Sequence, residues 1–413
     1  MLALYFYRVL WVVLSPLVDL MFIIRLIKGK EDKKRIPERL GFSKIPRPQG
    51  KLLWLHAASV GESLSILPLI RTLQERQPSL HILVTTGTVT SAELMAKRLP
   101  QNVVHQFVPL DFYWSVKNFI RHWQPDLSVF VESELWPELL HQAPNPIIIN
   151  GRMSAKSAAR YQKLAPLTGF MFQKIRLILA QSEESYSNFQ KVCNSPLENS
   201  GNLKFDAPKP PADLEELEAL QQQLQNHKLF VCASTHPGED EVMAAIHQRA
   251  KAEVKNLITV IVPRHPHRGK GIQKQLQQAG YTCNLRSTGE PIENIYIADT
   301  IGELGLWYRL ANVVLMGKSL HSGGGQNPFE PLKCGKVTLT GPSMENFTEM
   351  MQIFKEREII LQSENVAQIE KDLVYFLKND KQRTLAEEKI TEKMQNLGGA
   401  TAKTAQRIED FLV

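Results

Sequence analysis

The chain has 413 residues, with 49 Lys plus Arg against 42 Asp plus Glu, a formal net charge of +7, 43% hydrophobic and 22% charged residues. At ~100 to 200 residues per domain this length holds two or three domains with real cores, and the composition excludes long disorder, collagen and a multi-span membrane protein. The positive balance asks for an anionic partner without choosing between nucleic acid, phospholipid and a phosphorylated small molecule, and Cys193, Cys232, Cys283 and Cys334, far apart with no CxxC spacing, support neither a zinc knuckle nor a disulfide scaffold.

The opening segment, MLALYFYRVLWVVLSPLVDLMFIIRLI, is almost entirely apolar, but Arg8, Asp19 and Arg25 interrupt it and its longest charge-free run is Val9 to Val18. A transmembrane helix needs roughly 20 predominantly apolar residues, so this is a marginal span. Lys28, Lys30, Lys33, Lys34 and Arg35 follow directly, with no small-residue cleavage site, which argues against a signal peptide. Tyr5, Phe6, Tyr7 and Trp11 beside that basic collar fit a segment held at or in a bilayer with an anionic leaflet. Residues 1–30 are therefore expected to be an uncleaved membrane anchor, with a buried core helix as the alternative.

From Lys51 short apolar runs alternate with helical periodicity: LLWLH, HILVTT, VVHQFV, LSVFV, PIIIN and LILAQ. This is the pattern of βαβ units and a parallel sheet. The proline-rich stretch from Asp206 to Ala212 can join neither a helix nor a central strand. After it the alternation resumes with KLFVCAS, LITVIVP, NIYIA, NVVLMG and KVTLTG. The expected organisation is an N-terminal α/β domain over 31–205, a linker over 206–212 and a C-terminal α/β domain over 213–413 that ends in helices. Such open sheets bind ligands at strand C-terminal ends, here expected to face each other across a cleft.

Three groups of residues could carry chemistry there. Glu62, in Ala58-Ser59-Val60-Gly61-Glu62-Ser63, stands in the first helical turn after an apolar strand, where a carboxylate can take a proton from a hydroxyl or merely complement the helix dipole. Glu132 and Glu134 follow the run LSVFV, and charges that end a buried strand are costly unless paired or used. Lys204, Arg264, His265 and the run Ser322-Gly323-Gly324-Gly325-Gln326-Asn327-Pro328-Phe329-Glu330 form a cationic and Gly-rich set; free backbone N–H groups before a helix bind phosphate without a metal. There is no P-loop, no Gly-x-Gly-x-x-Gly after the first strand and no Asp-x-Asp pair to clamp Mg²⁺ on a diphosphate. His236, in a strand-to-helix loop, reads as a structural hydrogen-bonding residue more readily than as a catalytic one.

Read in order, Glu38-Arg39-Leu40-Gly41, Ser59 to Ser63, Glu132 to Pro137, Asn150-Gly151-Arg152-Met153-Ser154, Gly201 to Asp206, Pro263-Arg264-His265-Pro266, Gly302-Glu303-Leu304 and Asn327 to Glu330 closely resemble the 3-deoxy-D-manno-octulosonic acid (Kdo) transferases of bacterial lipopolysaccharide synthesis. The resemblance covers essentially the whole chain. It implies a GT-B glycosyltransferase of two Rossmann-like domains, with CMP-Kdo as donor, a lipid A precursor (lipid IVA) as acceptor, inversion at the anomeric carbon, and neither metal nor other cofactor. It further implies the cytoplasmic side of the inner membrane of a Gram-negative cell and no nucleic acid partner. By motif, Glu62 matches the family's proton acceptor, and Glu132 and Lys204 match residues that stabilise the transition state. Arg264, His265, Ile301, Gly302, Glu303, Leu304, Asn327, Pro328, Phe329 and Glu330 match the CMP-binding segments. One position departs: Gln326 stands where the family pattern has His before Asn-Pro, and Gln cannot carry a positive charge to a phosphate. The alternatives are another membrane-associated GT-B transferase or a nucleotide-sugar epimerase using a UDP-sugar, and, from a different class, a non-catalytic module that binds anionic lipid.

Overall fold

The computed structural model describes residues 2–412; the side chains of Leu167 and of Asp19, one of the charges noted in the N-terminal run, lie outside the described residues. The chain divides into two compact units, Met1–Ala207 with Leu397–Val413, and Pro208–Asn396.

The first unit is built on seven parallel strands: β1 (Leu52–His56), β2 (His81–Thr86), β3 (Val103–Phe107), β4 (Leu127–Val131), β5 (Pro146–Gly151), β6 (Leu177–Ala180) and β7 (Leu197–Asn199). Their order is β3-β2-β1-β4-β5-β6-β7. Strands β1, β4 and β5 are buried along their whole length, because helices cover both faces of a sheet made of βαβ units. One face packs Leu53, Leu55, Ile70, Leu73, Val129 and Ile149; the other packs Trp54, Phe119, Trp123, Phe130 and Ile148. Strand order reverses between β1 and β4, so the loops after these two strands diverge and leave a crevice at their C-terminal ends.

The second unit repeats the plan with β8 (Lys228–Thr235), β9 (Leu257–Pro263), β10 (Cys283–Leu285), β11 (Ile295–Ile297), β12 (Val313–Met316), β13 (Val337–Thr340) and β14 (Leu361–Gln362), ordered β10-β11-β9-β8-β12-β13-β14. Its reversal lies between β8 and β12. Two Rossmann-like units, as expected from the apolar runs, are thus present.

Two expected boundaries are corrected. The last helix, Ala400–Leu412, belongs to the first unit rather than to a C-terminal domain ending at 413. Its apolar stripe Ala400, Ala405, Ile408 and Leu412 completes the core around Ile70 and Leu73. Asp206 holds its start by accepting bonds from the N–H groups of Gly399 (2.6 Å) and Thr401. Residues 1–30 are likewise part of the first unit and not a separate segment. The N-terminal helix, Leu2–Ile27, carries Pro16 in its interior and docks through the residues that seemed to interrupt a span. Arg8 forms a two-pronged ion pair with the fully buried Glu138 (2.7 and 2.9 Å), Tyr7 donates to Asp111 (2.6 Å), and Arg25 pairs with Glu31 (2.8 Å). Trp11 meets Phe112 edge to face. The opposite side of the helix, with Tyr5, Phe6, Val9, Val12, Val13 and Leu17, is 59–71% exposed.

Among the described residues no single helix is long and apolar enough to cross a membrane; the segments Leu2–Val18 and Leu20–Ile27 satisfy that test only together, with a bend of 41°.

Candidate active site

The C-terminal ends of β1 and β4 bring Glu62, Glu132 and Glu134 together. Ser59 is the N-cap of the helix Val60–Ser65 and Glu62 its third residue, an S-x-x-E capping arrangement. Ser59 Oγ accepts from the Glu62 N–H (3.3 Å) and donates to Glu62 Oε1 (2.8 Å), while Glu62 Oε2 accepts from the Ala58 N–H (2.8 Å). The cap therefore fixes the carboxylate in place at the sheet edge. Burial pushes the Glu62 carboxyl above the usual carboxylate range; the Ser59 hydroxyl and Ala58 N–H pull against this, and the charges of Glu134 and Glu132 add to it.

Glu132 occupies the left-handed region, φ +58°, a conformation that costs a non-Gly residue of order 1 kcal/mol and that clusters at functional sites. Its N–H donates to the Ile149 carbonyl of β5 (3.0 Å), so pairing to the neighbouring strand holds the turn. Its side chain meets Lys204 Nζ at 2.6 Å. Lys204 lies in the short 3₁₀ turn Leu203–Asp206, which Asn150 at the end of β5 secures by accepting the Leu203 N–H (2.9 Å). Asn150, the first residue of its motif, thus positions the turn that carries Lys204.

His56, the last residue of β1, was not legible as part of this group. Its Nε2 lies 3.4 Å from Glu134 Oε2 and its Nδ1 3.0 Å from Thr85 Oγ1. Nδ1 also lies 3.2 Å from the Thr85 carbonyl, and Trp54 Nε1 donates to the Thr85 hydroxyl (2.9 Å), so a proton on Nε2 serves Glu134 and the Thr85 hydroxyl, whereas a proton on Nδ1 serves the Thr85 carbonyl. Burial raises the Glu134 carboxyl, but the bonds from His56 and Trp136 (2.6 Å) outweigh it and hold Glu134 below the usual range. Two carboxylates at one sheet edge are thereby pushed apart, Glu62 up and Glu134 down, the pattern that separates a proton-accepting group from one that stays charged.

In the second unit Arg264 and His265 follow β9 and are exposed, Ile301 is 87% exposed, and Gly302 has φ +90°. Glu303 turns inward: Arg286 donates to both its oxygens (2.9 and 3.0 Å). Burial raises the Glu303 carboxyl, but Arg286 and Thr300 hold it below the usual range. Leu304 opens the helix Leu304–Leu310, whose Gly305 permits close passage of the proline stretch; a Cβ there would lie 2.0 Å from the Pro211 carbonyl. Asn327 Oδ1 accepts the Phe329 N–H (3.1 Å), Pro328 and Phe329 are buried, and burial pushes the Glu330 carboxyl up while the charge of Arg264 lowers it, which places the two motifs in electrical contact.

The expectation of free N–H groups along the Gly-rich run is corrected. Gly323 and Gly324 donate to Ser343 Oγ (3.2 and 3.0 Å), and Gly325 donates to the Lys318 carbonyl (2.9 Å). The preceding amides of Lys318, Ser319 and Leu320 are taken by the buried carboxylate of Glu239 (2.6, 3.1 and 3.3 Å). An acid already fills that nest. Gln326 Nε2 lies 3.0 Å from His236 Nε2, and the His236 ring is 6.3 Å from that of His265.

A family model described as 3-Deoxy-D-manno-octulosonic-acid transferase (kdotransferase) matches residues 34–207. A 3-deoxy-D-manno-octulosonic acid transferase of Rickettsia bellii (strain RML369-C) is 32% identical over 93% of this chain and 93% of its own. The chain belongs to this transferase family. A second relative of the same name, from Haemophilus influenzae, is 34% identical over 92% of this chain and 91% of its own. Fold likeness reaches further than sequence: a UDP-N-acetylglucosamine 2-epimerase structure from Listeria monocytogenes superimposes with a TM-score of 0.56 at 13% identity, covering 87% of this chain and 95% of its own. That likeness concerns the fold alone. Glu62, Glu132 and Lys204 stand at one sheet edge of the first unit. The departure at Gln326 acquires a physical setting: the amide N–H donates to His236 Nε2, which must then be the unprotonated nitrogen of a neutral ring, and burial holds His236 below the usual histidine range.

Proposed function

We propose that this enzyme transfers Kdo from CMP-Kdo to a lipid A precursor, with inversion and without a metal. The observation that carries the reading is Glu62, a carboxylate held by its helix cap at the reversal point of the first sheet with its pKa raised. A sugar hydroxyl is a weak nucleophile at neutral pH and needs such a base on the face opposite the leaving group. As the bond to CMP breaks, negative charge gathers on the phosphate and positive charge on the Kdo ring. Arg264 and His265 after β9, with the segments Ile301 to Leu304 and Asn327 to Glu330, answer the first; Glu132, kept in place by Lys204, answers the second.

The exposed apolar side of the N-terminal helix and the lysines that follow it support attachment to an anionic membrane surface, here assigned to the cytoplasmic face of the inner membrane, where the lipid acceptor is met. The reading is tested by incubating the protein with CMP-Kdo and a tetra-acylated lipid A precursor and weighing the products by mass spectrometry. Added Kdo supports it; no transfer from CMP-Kdo together with turnover of a UDP-sugar would replace it.

A further inference from the structure

Between the N-terminal helix and the C-terminal edge of the first sheet lies a cavity of about 310 Å³. Trp11, Val18, Met21 and Phe22 of the helix form one wall, and Val108, Leu110, Phe112 and Leu139 form the other. One end reaches His56, Ala58, Glu134 and Trp136. Ala58 is the residue whose N–H binds Glu62 Oε2, so the cavity ends beside the proposed base. Met21, 54% exposed, belongs both to this wall and to the apolar side of the helix that faces away from the protein. The cavity is therefore continuous with the surface that would meet a bilayer.

We propose that this cavity is a slot for one acyl chain of the acceptor lipid, an inference that rests on the transferase reading and specifies how the acceptor is held. Three features on the chain argue for a hydrocarbon tail. The side walls are aliphatic and aromatic, and the charged groups that border them are engaged with each other: Arg39 donates to Glu31 (3.0 Å), to the Gly87 carbonyl (2.7 Å) and to the Val108 carbonyl (3.2 Å), and Arg25 pairs with Glu31. The volume lies at the lower end of the ~300 to 1,000 Å³ of small-molecule pockets, which suits part of a lipid and not a whole one. The cavity is lined at one side by the half-exposed Met21, so the methyl end of a chain can lie toward the membrane side of the helix. Ala58 and Glu134 also line it, so a chain lying with its methyl end at Met21 would leave the sugar that carries it at their side, toward Glu62. Binding energy from a remote, unreacting tail would then orient the hydroxyl that reacts. The motif Glu38-Arg39-Leu40-Gly41 acquires a role as well, because Arg39 ties together the carbonyls that follow β2 and β3 and so shapes the slot floor.

The test compares the full-length protein with Val18→Trp, which fills the slot from the helix side without touching Glu62, Glu132 or Lys204. Two acceptors are used in detergent: the tetra-acylated precursor and the same phosphorylated disaccharide with its acyl chains removed. Displacing ~2 methylenes at ~4-fold each predicts a KM for the acylated acceptor raised ~10-fold or more, with kcat, CMP affinity and rates on the chain-free acceptor unchanged. An unchanged KM for the acylated acceptor, or equal losses on both acceptors, overturns the slot. A second measurement needs neither turnover nor the variant. A photoactivatable diazirine placed on an acyl chain of the acceptor should label peptides containing residues 11–22 and 108–112, and unlabelled acceptor should suppress it. If a diazirine phospholipid labels those peptides equally and acceptor does not compete, the slot belongs to bulk lipid and the proposal is wrong. Should the unaltered chain transfer nothing to either acceptor, the transferase reading fails on its own, and the labelling still decides the slot.

Discussion

Each of the two sheets is parallel among its described pairs and reverses its strand order once, yet the C-terminal edges they present have opposite charge. At the first edge three carboxylates, Glu62, Glu132 and Glu134, stand near one another, and Glu132 is paired with Lys204. At the second edge three acids are turned inward and bonded: Glu239 to four backbone N–H groups, Asp240 to Arg268, Glu303 to Arg286. Arg264, His265, His267 and His321 face outward there. One architecture thus serves two chemistries, because a strand end fixes only where a side chain stands. The acidic edge suits proton removal and a developing cation; the basic edge suits a departing phosphate.

The division can be broken from either side. The largest effect is expected for Glu62→Gln, which keeps the shape and the cap but removes the base, and should lower transfer ~10² to 10⁴-fold in a single-turnover assay. Next comes Arg264→Ala. A hydrogen bond to a charged group is worth ~1.5 to 3 kcal/mol, so CMP should bind ~10 to 150-fold more weakly by calorimetry. Transfer by the unaltered chain should survive EDTA if side chains stabilise the phosphate.

A third effect separates the units by stability. Burial pushes Asp111 of the first unit up to about 7, against the bonds it accepts from Tyr7, Glu138 and Leu139. Its folded pKa lies above the unfolded value of ~3.9, so between about pH 4 and 7 the folded state holds more protons and stability falls as pH rises. Asp111→Asn should remove that fall in thermal melts of the first unit and leave the second unit's transition alone. The smallest effect is a shift in pH profile. Glu134 helps to raise Glu62, so Glu134→Gln should move the acid limb of the rate profile to lower pH, and a limb that stays put would show that Glu62 does not feel its neighbour.

Strands buried on both faces were readable because they appear as unbroken apolar runs, from LLWLH to KVTLTG. The three that were not, β7, β10 and β14, are short edge strands without such a run. Glu62 was readable because strand, cap and carboxylate are adjacent in sequence. His56 was not, since its partner Glu134 is 78 positions away. The Gly-rich run misled for the same reason: Ser343, 20 and 19 positions from the two glycines, takes their N–H groups, and Glu239, 79 to 81 positions away, fills the amide nest before them. Arg8 and Arg25 looked like flaws in a membrane span because Glu138 and Glu31, which receive them, are invisible to a hydropathy pattern. Breaking the buried pair by Arg8→Ala should cost ~3 to 5 kcal/mol of first-unit stability, as it strands Glu138 without a counter-charge.

The division of labour between the edges is tested most directly by measuring CMP affinity and single-turnover transfer on Glu62→Gln and Arg264→Ala in one buffer containing EDTA. The account predicts that Glu62→Gln binds CMP within about twofold of the parent while transfer collapses, and that Arg264→Ala loses CMP affinity. Equal loss of CMP affinity in both variants would contradict it, since the acidic edge would then be holding the nucleotide.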